Sequence, residues 1–531
     1  MTKSLGLTVS LLILLIFFQC TQKLDNNTQV TENDCFNISI MNDVETFDPL
    51  HIIYNNDWQI ASFVYEGLVA YQIHSTEITP WLAKEIQLSN QGKTITMHLH
   101  TSVFFHNDPC FPQGQGRKLI AKDVVYTFNR ILKKEADAPN AFLLADKIKN
   151  MTALDDSTVQ FELNNTYATF LKILASPTCY IVPEEAVHYY QGDLTHHPVG
   201  TGPFQLIQRK PFQSLQFIKN RQYWRKDDQD QTLPYVSRIN VQITGNRDKI
   251  FDDFIKRTNM LLRINDDAIR QAFDNLEIQT QFQEIPTSMG LSLRFLGFSM
   301  DSSSPYTQNA DLRTAIALNY DRESIQSITS SSQTMLACSL VPPELLTQQS
   351  AWYPYNPTLA SHLTTLWFDP KKGNHLPIIL MSNIESTDIH LMKQDLDKLN
   401  IQNQIILDKT RYYEKILEKR PELFRVSFMP SFPDPQEYYS LFYSKSPREI
   451  NLTGYHNDQY DHCFEQAEIE MDLLKRQKLF SQMETILKQD VPLILISHSK
   501  PASYIVPSTV QNFRTRYTLY DLSEVKLESV Q

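Results

Sequence analysis

Glycine is scarce in this chain, with 13 in 531 residues, where an average composition of about 7% would supply roughly 37. Loops that cradle phosphate through closely spaced glycines are correspondingly missing. Neither GxxxxGK followed by Ser or Thr nor GxGxxG occurs, which removes the common nucleotide-binding signatures. GxSxG and HExxH are absent too, so the frequent hydrolase and zinc-protease motifs fail. Basic residues are not in excess: 49 Lys and Arg stand against 60 Asp and Glu, for a net charge of -11. A phosphate backbone needs a basic stripe to neutralise it, so nucleic acid is excluded as a partner. The six cysteines, Cys20, Cys35, Cys110, Cys179, Cys338 and Cys463, include no CxxC pair and build no zinc site. An oxidising compartment permits one or two disulfides among them, and spacing alone does not pair them.

Long hydrophobic runs are missing except at the start. Lys3 precedes an apolar stretch at 5–18, short of the ~20 residues of a bilayer span but suited to the apolar segment of a signal peptide. Residues 1–20 are therefore read as an export signal. Cys20 follows it, and 21–32 form a polar tether without hydrophobic periodicity. This arrangement fits a lipoprotein attached to the membrane through Cys20, although Phe18 and Gln19 stand where small residues are preferred. A soluble periplasmic form is the next alternative, and an uncleaved anchor the last. Each places the protein in the periplasm or cell envelope.

What remains is an ordinary mixture of α and β elements without a repeat of 20 to 50 residues. The pattern predicts a helix from Asn55, entered through Asn56 or Asp57 and stopped at Gly67. It predicts a strand pair at 95–100 and 103–105, a helix at 121–133, and a hairpin of 204–208 with 215–219 after the turn at 200–203. Further on it predicts a strand at 291–298, a helix at 312–319 with Asp321 capping the next, one long helix at 461–489 and a buried strand at 493–496. That long helix is expected to bury Phe464, Ala467, Met471, Leu474, Phe480, Met483 and Leu487. His98, His100 and His106 are the best metal candidates by spacing, and read as ordinary strand and loop residues. His196 with His197, and the tandem acids Asp155-Asp156, Glu184-Glu185 and Asp266-Asp267, read as structural. The many aromatics, 24 Tyr, 29 Phe and 5 Trp, mostly serve the core and supply ring faces for a cleft.

A series of segments then occurs in a telling order. Thr46-Phe-Asp-Pro49, Val64-Tyr-Glu-Gly-Leu68, Pro80-Trp-Leu-Ala83, Ser102-Val-Phe-Phe-His106 and Ala121-Lys-Asp-Val-Val125 come first. Pro198-Val-Gly-Thr-Gly-Pro-Phe204, Asn220-Arg-Gln-Tyr-Trp224, Leu312-Arg-Thr-Ala-Ile-Ala317 with Asp321-Arg322, and Asp490-Val-Pro-Leu493 follow. Together they resemble the peptide-binding family, family 5, of extracytoplasmic solute-binding proteins of ABC importers, the oligopeptide-binding-protein-like group. The resemblance spans about 36–515. It implies an α/β, periplasmic-binding-protein-like fold of two hinged lobes with an extra domain on lobe one. Transferred to this chain, lobe one covers 33–72, 197–292 and 498–531, the extra domain 73–196, and lobe two 293–497, with the hinge near 290–295 and 497–500.

The function implied is a receptor, not an enzyme, that captures oligopeptides or peptide-like solutes between the lobes and delivers them to ABC transporter permease subunits. Alternatives on the same fold are a receptor for a metal or nickel-type chelate, or for cell-wall muropeptides; an exported hydrolase comes third. No cofactor, catalytic residue or metal ligand is assigned, and the protein is expected to be a monomer. The ligand-binding candidates are Tyr54, Asn55, Ser427, Phe428, Met429, Ser431 and His498. The family holds a peptide's α-amino group with an acid in a segment of the form G-W-x-A-D-Y-x-D-P. Here the aligned run is Ser427-Phe-Met-Pro-Ser-Phe-Pro-Asp-Pro435, which puts Ser431 at the anchor position. If the run is extended, Ser427, Met429 and Ser431 share one face.

Overall fold

The computed structural model describes residues 34–528, apart from 134–137, 265–266, 288, 325–332, 347–351, 368–376 and 518. The proposed export signal, the tether, Cys20 and Asp266 lie outside the described residues.

The elements fall into three groups. In the first, Cys35–Ile40, Arg238–Ile243, Ser214–Lys219 and Phe204–Lys210 form a four-stranded sheet in that order, parallel at its first pair and antiparallel beyond. In the second, Ala83–Ser89, Thr94–Leu99, Thr158–Leu163 and Ile148–Ala153 form an antiparallel sheet beside the helix Ala121–Leu132. The third is a six-stranded mixed sheet in the order Thr334–Leu336, Leu493–Ser499, Leu293–Phe298, Leu423–Phe428, Ile378–Ser382, Asn403–Leu407. Alternation along its strands splits the apolar side chains between two cores. Leu293 and Phe295 face one core, and Leu296 and Phe298 the other. The first and second groups, by contrast, share one continuous core, from Phe36 through Phe128 and Phe161 to Val525.

Two stretches of chain join the third group to the rest. Phe282–Pro286 pairs antiparallel with Ser503–Pro507, and immediately beyond, Leu293–Phe298 pairs antiparallel with Leu493–Ser499. The links 287–292 and 500–502 therefore run side by side. Thr287 N–H donates to the Ala502 carbonyl at 2.8 Å and Ser499 N–H to the Ser292 carbonyl at 2.9 Å. Gly290 lets them pass closely, since a Cβ there would lie 2.2 Å from the Ser499 oxygen and 2.3 Å from the Lys500 carbonyl carbon.

The segments that carried the family resemblance meet in packing. The buried Glu66 carboxylate accepts from Trp81 Nε1 at 2.8 Å, Thr201 Oγ1 at 2.8 Å, Tyr223 Oη at 2.9 Å and Trp224 Nε1 at 3.1 Å. Three of those segments thus converge on the acid of a fourth, and its hydrogen bonds offset the cost of burying it. Gly200 and Gly202 allow the turn to lie against Val64, where a Cβ on Gly200 would meet the Val64 oxygen at 2.1 Å. Asp48 takes Arg130, and Arg117 bridges Asp123 and Glu185. Arg313 donates to the backbone carbonyl of Val491 at 3.1 Å.

Several predicted elements stand where expected: the helix after residue 121, the hairpin, the strands ending at Phe298 and beginning at Leu493, and the cap at Asp321, whose carboxylate accepts Ser324 N–H at 3.1 Å. Others differ, for local reasons. The first helix covers only Asn55–Ala61, because the carbonyls of Phe63 and Val64 accept from Phe204 and Gly202 N–H instead. Its N-cap is Tyr54; Asp57 instead receives Glu45 N–H at 3.2 Å. Residues 103–105 do not pair with Thr94–Leu99, whose two edges are occupied, but bond to 117–119 through Phe105 and Leu119 N–H. The long C-terminal helix is two, Asp458–Ile469 and Leu473–Asp490. Asp472 starts the second by accepting Leu474 and Lys475 N–H at 2.9 and 3.0 Å. The break takes Met471 and Leu474 off the predicted apolar face, leaving them 56% and 71% exposed.

Candidate functional site

A cavity of about 200 Å³ lies at the double crossing. Its wall takes Arg263 from the strand Leu262–Ile264, which pairs with Ser503–Pro507 opposite Phe282–Pro286, and Thr287 from just beyond Phe282–Pro286. Arg294, Ser427 and Ser499 come from the six-stranded sheet, Met429 from just beyond its strand Leu423–Phe428, and Lys500 and Ala502 from the returning link. At roughly 30 Å³ per liquid water, it has room for several waters or part of a solute. Arg294 and Ser427 are direct cross-strand partners, so both project from one face of the sheet. The hydroxyl of Ser292 is 3.9 Å from Met429 Sδ. Arg263 also lines a second, larger cavity of about 390 Å³, bounded by Asn55, Asn42, Arg247 and Tyr504 among others.

The residues proposed from sequence distribute unevenly over this geometry. Ser427 and Met429 line the first cavity and Asn55 the second. Tyr54 is half exposed and lines neither. Phe428 points away from Ser427, as strand alternation requires, and its ring sits 5.4 Å from that of Tyr438. His498 is buried, 3.0 Å from the Ser339 carbonyl through Nε2. Burial pushes its pKa down to about 4, so it is a neutral structural imidazole at pH 7.

Ser431 does not share a face with Ser427 and Met429. The strand ends at Phe428, the chain turns, and Ser431 leaves the cavity wall. Its N–H donates to Glu437 Oε2 at 2.9 Å. Burial raises the pKa of Glu437 to about 7, despite the Ser431 N–H and with help from the nearby Asp434 charge. Asp434 itself is committed. It accepts Arg476 Nη2 at 2.7 Å and Lys172 Nζ at 2.9 Å. Burial opposes its charge, but these two cations hold its pKa down to about 2.

Sequence reasoning missed Arg263, Arg294 and Lys500. One signal was available for Arg294: a lone cation inside the otherwise apolar strand Leu293–Phe298 has to be directed at something polar. The histidines weighed as metal ligands are dispersed. His98 contacts Thr158 at 3.3 Å, His100 lies 4.6 Å from the Trp224 ring, and His106 Nε2 is 2.9 Å from the Gly202 carbonyl. His196 pairs with Asp193 while His197 stacks on Tyr190 at 4.1 Å. Among the described residues no group of three or more His, Cys, Asp or Glu is placed to hold a metal ion. Cys110, Cys179, Cys338 and Cys463 carry free thiols, and no helix among the described residues is long and apolar enough to cross a membrane.

The cleft lies between sheets joined by two links that run side by side in opposite directions. Residues 77–449 match the family described as bacterial extracellular solute-binding proteins, family 5 Middle, and the chain belongs to that family. It is 24% identical over 499 residues to Di/tripeptide-binding protein 1 of Pseudomonas aeruginosa, covering 88% of this chain and 89% of the relative. It is also 24% identical over 486 residues to Heme-binding protein A of Haemophilus influenzae, covering 85% of each. Among solved structures, the periplasmic binding protein DppA from Helicobacter pylori in complex with the peptide STSA superposes with a TM-score of 0.79 at 20% identity. That superposition covers 93% of this chain and 98% of the other. The fold is thus that of two lobes with an added domain, and the family is one of substrate-binding proteins.

Proposed function

We propose that this chain is an envelope receptor that captures a peptide or peptide-like solute between its lobes and presents it to the permease subunits of an ABC importer. The observation that carries this reading is the cavity at the double crossing, walled by residues from both sides of the two links. A solute touching both walls favours the closed arrangement over the open one, and that difference is what a membrane partner can sense. No chemical step is needed. The peptide-binding relatives support the ligand class. The lobe boundaries proposed are 33–72, 197–292 and 498–531 for lobe one, 73–196 for the extra domain and 293–497 for lobe two. The hinge proposed is near 290–295 and 497–500, at the links 287–292 and 500–502. Export directed by residues 1–20, attachment through lipidated Cys20 and a monomeric state complete the proposal.

Mass spectrometry of cargo released by unfolding the purified protein tests the ligand class. Small-angle scattering should show a smaller radius of gyration with cargo than without, and an unchanged radius at saturation counts against closure. For the anchor, Cys20→Ala should release the protein from membranes and abolish labelling by fatty acid.

A further inference from the structure

The seam where the second group meets the third is closed by the protein's own side chains. Lys172, on the short helix Phe170–Leu174, donates through Nζ to the Pro433 carbonyl at 3.2 Å and to Asp434 Oδ2 at 2.9 Å. Lys147 Nζ reaches Glu468 Oε1 at 2.7 Å, and the Ala168 N–H donates to the Glu468 carbonyl at 3.3 Å. The turn after the strand Leu423–Phe428 also sends an aromatic ring across: Phe432 is buried and belongs to the core that the first and second groups share. From the C-terminal part of the chain, the Tyr517 hydroxyl donates to the Pro430 carbonyl at 2.9 Å. These contacts join the proposed lobe two to the extra domain and to lobe one, and none of their residues lines either cavity. A ring removed from water favours the docked arrangement through its apolar area, and the two lysines add charge-assisted bonds that fix the register of docking.

We infer that this seam is a built-in latch: the turn 429–434 and Glu468 of lobe two dock on Lys147, Ala168, Lys172 and Tyr517, so that the lobes close on themselves without a solute and the latch sets the balance between open and closed. The inference rests on the receptor reading above and its lobe boundaries, and names what governs closure. A solute that requires the closed arrangement binds with an affinity scaled by the fraction of molecules already closed, so the seam contributes to affinity without touching cargo. Ser431 has a place in this device, since its N–H on Glu437 holds the turn that carries Phe432. Removing the lysines orphans neither acid, because Asp434 keeps Arg476 at 2.7 Å and Glu468 keeps the Gln436 amide at 2.8 Å.

Lys147→Met combined with Lys172→Met removes both charges and keeps their apolar stems, and hydrogen exchange on protein freed of cargo by refolding from denaturant reads the latch directly. The Ala168 amide should exchange about tenfold or more faster in the double variant than in wild type. The strand Leu293–Phe298 should keep its wild-type rate, which separates opening of the seam from loss of the fold. Scattering should give the cargo-free variant a larger radius of gyration than cargo-free wild type, and the cargo-saturated radii should coincide. Equal exchange at Ala168, or equal cargo-free radii, overturns the latch and leaves the receptor reading intact, because that reading is judged by the shrinkage that cargo causes in wild type. Faster exchange in the strand as well as the seam shows the lysines to be structural and also overturns it. Tyr517→Phe deletes a single hydroxyl and should shift both readings in the same direction, by about threefold in exchange. Where the double variant does not refold, this second variant decides alone, and unchanged readings in it overturn the latch.

Discussion

Two surfaces of this molecule are lined with lysine and arginine, and they treat those charges in opposite ways. At the seam between the second and third groups, Lys172 and Arg476 converge on Asp434, and Lys147 reaches Glu468 Oε1 at 2.7 Å. Each cation there has a partner of opposite sign and further hydrogen bonds, such as the Gln436 amide on the same Glu468 oxygen at 2.8 Å. At the double crossing, Arg263, Arg294 and Lys500 line the cavity, and among the described residues none of them enters an ion pair. A buried charge that is paired inside the protein is part of the structure. One that lines a cleft with its side chain exposed, as these three do, keeps its hydration and needs no partner from the fold.

The difference can be broken most severely at the seam. Asp434→Ala leaves Arg476 and Lys172 without their anion and should destabilise the protein by about 3–5 kcal/mol, read as a fall in melting temperature by calorimetry. A smaller loss would mean that the seam opens and hydrates. Because the Asp434 pKa is depressed to about 2, its stabilisation is complete above the usual carboxylate range and disappears as pH falls towards 2.

Glu437 should behave with the opposite sign. Its folded pKa, about 7, lies above its ordinary value of 4.5, so its contribution is complete below pH 4.5 and is lost as pH rises through 7. Stability should decline by roughly 1 kcal/mol per pH unit across that window, and Glu437→Gln should flatten the decline. Denaturant titrations at pH 4.5, 6 and 8 compare the two; parallel slopes in variant and wild type refute the assignment.

Substituting Gly290→Ala places a methyl group against the Ser499 and Lys500 backbone and should cost about 1–3 kcal/mol. Because the links themselves are displaced, scattering should also show a changed response to cargo. The smallest effect sharpens the comparison most. Arg294→Gln removes a cation that stabilises nothing in the fold, so its stability should change by no more than about 0.5 kcal/mol, in contrast with the seam. A large destabilisation would show that Arg294 is structural.

Much of the scaffold was legible in the residues because its signals are local. A glycine pair around Thr201, an alternating hairpin and an Asp at the head of a helix act on their own neighbourhood. Among the ordered segments that resembled a family, four meet at the Glu66 carboxylate through Trp81, Thr201, Tyr223 and Trp224. The errors arose where a distant partner intervened: the Phe63 and Val64 carbonyls taken by residues 202 and 204, and residues 103–105 bonded to 117–119.

Sequence by itself determined the alternation of elements and the likeness to a family. It also revealed an unusual residue at 431. The meaning of 431 was decided only by tertiary structure, because alternation holds while a strand lasts and this one stops at Phe428. The cavity was likewise invisible in the sequence. Arg263, Arg294 and Lys500 are widely separated along the chain and come together only because the links at 287–292 and 500–502 cross side by side, and whether a cation is paired or free depends on what the fold brings within a few ångströms of it.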